Sequence, residues 1–151
     1  MSFYSSRDEV IKIILARKIS FGLKWTQIAE RIGCSKEWTT AACLGQMKFG
    51  ENEANKMVEI FRLVPEAKYW LTTAPSRGSS SASTSKDPLL YRFQEVINIY
   101  GGALKELINE QFGDGIMSAV DFKLNLEKEP SNEGDRVKIT MSGKFLPYKP
   151  F

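Results

Sequence analysis

Residues 112–127 read Phe-Gly-Asp-Gly-Ile-Met-Ser-Ala-Val-Asp-Phe-Lys-Leu-Asn-Leu-Glu, and the spacing of apolar residues changes inside this stretch. On its N-terminal side apolar residues recur every three or four positions, as on one face of a helix. Beyond Gly113-Asp114-Gly115, which reads as a tight turn, the period falls to two. Phe122, Leu124 and Leu126 alternate with Lys123, Asn125 and Glu127, and Val137, Ile139 and Met141 alternate with Lys138 and Thr140. That is the signature of half-buried strands. Ser142-Gly143 reads as a hairpin turn leading into a further strand over 144–146. The fold class predicted is α+β, with helices first and a small antiparallel sheet last.

Helical signals fill the chain upstream. Ser6 and Glu9 make a capping-box start before Val10, Ile11, Ile13, Ile14 and Leu15. Trp25, Ile28, Ala29 and Ile32 follow at helical spacing and Gly33 stops them, after which Ser35 caps a helix carrying Trp38, Ala41, Ala42 and Leu44. An amphipathic helix spans 52–63 and a short one follows over 67–71. Asp87-Pro88 is an N-cap with proline at the first helical position. Leu89, Leu90, Phe93, Val96, Ile97 and Tyr100 then share a face, Gly101-Gly102 is expected to break the helix, and a second helix is expected over 103–112.

Between these halves residues 72–86 read TTAPSRGSSSASTSK, a polar, low-complexity run that cannot build a core. The organisation predicted is a helical bundle over 1–71, a serine-rich linker over 72–86, and an oligomerisation domain over 87–151. Two helices and a few strands make a thin core with exposed strand edges. Pairing between chains would remedy both defects, so an obligate homo-oligomer is expected.

Composition narrows the chemistry. The 151-residue chain contains no histidine, which removes Ser-His and Cys-His nucleophile pairs and any His-bearing zinc site. The cysteines, Cys34 and Cys43, form no C-x-x-C pair and read as small hydrophobes in a reducing, cytoplasmic compartment. No secretory signal and no membrane-spanning run is read. The net charge is +3, unevenly spread. Residues 1–71 carry about +3 and residues 88–151 about −1.

The basic half contains a pattern resembling a helix-turn-helix, with Gln27-Ile28-Ala29 before Gly33 and Ser35 capping the second helix. Its candidate reading turn, Lys36-Glu37-Trp38-Thr39, holds a carboxylate that would face phosphates and lacks the Arg, Asn or Gln that read bases. One reading is a DNA-binding domain on an oligomerising tail. The other is a scaffold packed like one, with no nucleic-acid partner.

Two features carry chemistry. Arg92 and Glu95 are one helical turn apart, Arg92 at the edge of the apolar face. They are either a surface ion pair or a charged pair held at an interface. Ser118 follows the glycines of 113–115 and is expected at the junction of helix and strand, either as a turn or cap hydroxyl or as a ligand contact.

The strings Tyr91-Arg-Phe-Gln-Glu95, Tyr100-Gly101, Phe112-Gly-Asp-Gly-Ile-Met-Ser-Ala-Val-Asp-Phe122 and Gly143-Lys-Phe-Leu-Pro-Tyr-Lys-Pro-Phe151 resemble cyanase, also called cyanate hydratase or cyanate lyase. The resemblance covers most of residues 87–151 in order. Residues 25–33 and 45–49 sit where the family carries its helix-turn-helix-like bundle, and the serine-rich run departs from the family pattern. The resemblance implies conversion of cyanate and bicarbonate to carbamate and carbon dioxide, the carbamate then breaking down to ammonia and carbon dioxide. It implies that the family's catalytic Arg, Glu and Ser are Arg92, Glu95 and Ser118. It further implies a homodecamer, a pentamer of dimers, with active sites between subunits. Bicarbonate is then a co-substrate, and neither a metal nor an organic cofactor is expected.

Overall fold

The computed structural model describes residues 4–76 and 86–150. Among the described residues six helices precede two strands: α1 Arg7–Ser20, α2 Trp25–Ile32, α3 Lys36–Cys43, α4 Glu51–Phe61, α5 Ala67–Thr72, α6 Pro88–Phe112, β1 Gly115–Glu129 and β2 Arg136–Pro147. The α+β class is as predicted. Most of the serine-rich linker, residues 77–85, lies outside the described residues. By compactness the chain divides into Met1–Glu110 and Gln111–Phe151.

In the first unit most local signals act as read, but the Ser6–Glu9 capping box forms only in half, because the Glu9 carboxylate accepts the N–H of Ser5 and not that of Ser6. Ser6 Oγ accepts the Glu9 N–H at 3.2 Å and Ser35 Oγ accepts the Trp38 N–H at 3.1 Å. Gly33 closes α2 in the left-handed region, φ +85°. The apolar faces converge on a core of Val10, Ile14, Trp25, Ile28, Phe49, Met57, Phe61 and Leu71. Each large side chain removed from water contributes roughly 1.5–3 kcal/mol, which outweighs the modest propensities of helices only eight residues long. Trp38 meets Phe49 edge to face with centroids 5.5 Å apart.

The helix break expected at Gly101-Gly102 does not occur; α6 runs unbroken for 25 residues. Glycine keeps its amide hydrogen, so it weakens a helix by about 1 kcal/mol without interrupting the hydrogen-bond ladder. Packing offsets that cost. A side chain at Gly102 would press on Leu44 Cδ1 at 3.3 Å, and Ala103 and Leu107 just beyond are buried.

The second unit is an antiparallel hairpin with Leu124 opposite Met141 and Leu126 opposite Ile139. The turn expected at Ser142-Gly143 is instead the interior of β2, where Ser142 faces Lys123 and Gly143 faces Phe122. The reversal lies at 130–135. There Pro130 cannot extend the ladder, Ser131 accepts the Gly134 N–H at 3.1 Å, and Gly134 takes φ +118°. The sheet therefore has two strands, and the segment 144–146 belongs to β2.

Candidate active site

Helix α6 begins as the sequence indicates. Asp87 Oδ1 accepts the N–H groups of Leu89 and Leu90 at 2.9 and 3.1 Å, and Pro88 fills the first turn. One turn further on, Arg92 Nη1 donates to Glu95 Oε2 at 2.8 Å. The Arg92 guanidinium also stands 5.6 Å from the Tyr91 ring centre. The hydrogen bond to Glu95, and then the charge of that carboxylate, raise the Arg92 pKa above the ordinary arginine value. The guanidinium is thus a permanent cation with a set direction. Around the pair, Leu89, Leu90, Phe93, Val96 and Ile97 leave large apolar surfaces exposed.

Ser118 belongs to the second unit, and its setting differs from the helix–strand junction expected of it. It lies within β1, at an irregularity where pairing jumps from Met117–Phe145 to Phe122–Gly143. Its Oγ accepts the N–H of Val120 at 3.0 Å and of Asp121 at 2.9 Å. It is buried at 6% exposure while Val120 beside it is 96% exposed. The turn-hydroxyl reading of Ser118 is therefore realised. The nearby backbone N–H groups serve the serine oxygen and not a ligand. Neither bond uses the hydroxyl hydrogen, which stays available to donate to an anion.

Residues around Gly113 shape the approach to the strand. Gly113 adopts φ +99°, the Asp114 carbonyl accepts the Tyr148 N–H at 3.0 Å, and Phe112 stacks on Phe145 at 5.2 Å.

Two carboxylates that the sequence reading did not single out organise the first unit. Lys24, the N-cap of α2, has no side-chain acceptor to offer its helix. Glu110 of α6 supplies one, accepting the Trp25 N–H at 2.6 Å and the Thr26 N–H at 3.4 Å. Glu106 accepts the Trp25 indole N–H at 3.2 Å. An anion at a helix N-terminus is favoured by the helix dipole as well as by the bonds. The partners are more than 80 residues apart in the chain, so no local spacing rule reveals them.

Two family models match consecutive parts of the chain. Residues 7–75 match the family model described as cyanate hydratase, N-terminal, and residues 82–150 match the cyanate lyase C-terminal domain. The chain belongs to the cyanate lyase family. It is 53% identical to a cyanate hydratase of Cupriavidus necator over 146 residues, 97% of this chain and 99% of that protein. It is 55% identical, with the same coverage, to a cyanate hydratase of Methylibium petroleiphilum. Among solved structures it is similar to cyanase from T. urticae, at 35% identity and a TM-score of 0.43, covering 91% of this chain and 96% of that one. Among the described residues no helix is long and apolar enough to cross a membrane.

Proposed function

We propose that this protein decomposes cyanate with bicarbonate as co-substrate, with Arg92, Glu95 and Ser118 as its catalytic residues. The observation that carries the reading is identity above 50% to proteins named cyanate hydratase along nearly the whole of both chains.

In this mechanism a bicarbonate oxygen attacks the cyanate carbon, forming a C–O bond. The bicarbonate hydrogen passes to nitrogen and a second proton comes from solvent. The bond between the bridging oxygen and the original bicarbonate carbon then breaks, releasing carbon dioxide and leaving carbamate. The carbamate takes up a proton and falls apart to ammonia and a second carbon dioxide.

The difficulty is bringing two anions together, a repulsion of about 4 kcal/mol at 4 Å in a partly desolvated site. Arg92 answers it with a cation that does not titrate and a planar fork suited to carboxylate-like oxygens. Glu95 orients that fork through the 2.8 Å bond, and in this reading it also relays a proton to nitrogen. Ser118 donates its hydroxyl hydrogen to the bound anion. Positioning and charge stabilisation supply the acceleration, without a metal or organic cofactor.

The working form in this proposal is a cytoplasmic homodecamer, a pentamer of dimers. Support comes from the apolar surface a single chain leaves bare: Leu124, Leu126, Val137, Ile139 and Met141 on the hairpin, with Phe93, Val96 and Ile97 on α6. A lone two-stranded hairpin is marginal in water, so these residues call for cover. Nucleic acid is not a partner in this reading. Helix α3 buries Thr39, Thr40, Ala41, Ala42 and Cys43, and its first-turn Lys36 is paired with Glu37 at 2.7 Å.

Ammonia release from cyanate, measured with and without bicarbonate, tests the proposal. Turnover that requires bicarbonate supports it; no turnover, or turnover indifferent to bicarbonate, rejects it.

A further inference from the structure

Between Met117, which faces Phe145, and Phe122, which faces Gly143, the two strands are unequal. Residues 118–121 of β1 stand against Lys144 alone on β2. The surplus chain is gathered into a loop closed by its own serine, whose Oγ accepts the N–H groups of Val120 and Asp121. The orientation of the Ser118 hydroxyl thus depends on the shape of this bulge.

Gly143 is the residue of β2 where normal pairing resumes. Its φ is not in the left-handed region, so backbone conformation does not explain a glycine there. Space does. A methyl group at 143 would overlap the Ser118 carbonyl oxygen and come within 2.5 Å of Met117 Cγ and 3.3 Å of its Sδ. A methionine side chain can swing aside. The Ser118 carbonyl is backbone, bonded to the Cα that bears the hydroxymethyl side chain, and relieving that overlap means moving it by roughly 1 Å.

We infer that Gly143 is a positioning residue for the Ser118 hydroxyl: its missing side chain lets the bulge settle against β2 and aims the hydroxyl hydrogen. This rests on the reading of Ser118 as catalytic. A misplacement on the scale of 1 Å costs on the order of 10²-fold in rate.

The test uses the full-length assembled protein, comparing Gly143→Ala, Ser118→Ala and the double variant by turnover and by amide hydrogen exchange. Gly143→Ala is expected to lower kcat at least about tenfold. In the Ser118→Ala background the same change should cost less than about twofold, because the group it positions is gone. Exchange in peptides covering 118–121 should rise both in Gly143→Ala and in Ser118→Ala, while 123–129 and 136–142 keep their protection.

Multiplicative losses in turnover, or unchanged exchange at 118–121, overturn the inference. If Ser118→Ala is too slow to measure, the exchange pattern decides. If Gly143→Ala does not fold, Met117→Ala/Gly143→Ala removes the side-chain half of the clash, and failure of that pair to fold also overturns the inference. Full activity of Ser118→Ala instead rejects the catalytic reading of Ser118, a separate result from failure of the positioning role.

Discussion

Arg92 donates to Glu95 at 2.8 Å although their side chains are 68% and 42% exposed. An ion pair so open to water contributes about 0–1 kcal/mol to stability. Its tight geometry is therefore poorly explained as a folding device. Substituting Arg92→Leu is expected to abolish cyanate turnover while leaving the melting midpoint and the assembled mass close to those of the parent. Near-normal turnover in the Leu variant would remove Arg92 from the proposed site. Light scattering on the same samples separates lost chemistry from lost assembly.

Glu110 caps α2 from another helix. Glu110→Ala leaves the Trp25 and Thr26 amides without their carboxylate acceptor. The expected loss is about 1 kcal/mol, read from denaturant midpoints. Glu110→Gln retains an acceptor oxygen and should lose less. Equal losses in the two variants would mean that the bond does not act as a cap.

Thr39 is fully buried, and among the described residues its Oγ1 has no hydrogen-bond partner. Valine has nearly the same shape without the hydroxyl. Thr39→Val is expected to stabilise the protein by about 1 kcal/mol, a rise of roughly 2–4 °C in Tm. An unchanged or lowered Tm in calorimetry would show that the hydroxyl is satisfied in solution.

Glu9 accepts the Ser5 N–H at 2.7 Å and the Ser5 hydroxyl at 2.9 Å, and these bonds hold its pKa below the usual carboxylate value. A carboxylate whose folded pKa is depressed adds stability that is present above its unfolded pKa and lost as the pH falls through its folded value. Glu9→Gln should therefore have a lower Tm than the parent at pH 7. The difference should shrink as the pH drops below 4.5, the ordinary value for a glutamate. A gap that stays constant from pH 7 to about pH 3 would locate its cause elsewhere.

Local chemistry was legible in the sequence wherever a few neighbouring residues settle it. The caps at Ser6, Ser35 and Asp87 and the stop at Gly33 formed as their types require. The Arg92–Glu95 pair was readable for the same reason, since helical spacing alone puts i and i+3 side by side. The departure of 118–121 from strict alternation was the one visible trace of the bulge, and it does not say which strand residue must yield space.

What the sequence determined by itself was the class of the fold, the edges of most elements and, through long matching strings, the family. Tertiary structure decided what depends on residues far apart in the chain. It kept α6 whole across Gly101-Gly102, because Leu44 and the buried Ala103 and Leu107 compensate for weak propensity. It moved the hairpin turn from Ser142-Gly143 to 130–135, because Gly143 is needed inside β2, against the Ser118 bulge. It also placed Glu110 over the start of α2. In each case the deciding energy comes from close packing or a hydrogen bond between distant residues, which no window of neighbouring residues contains.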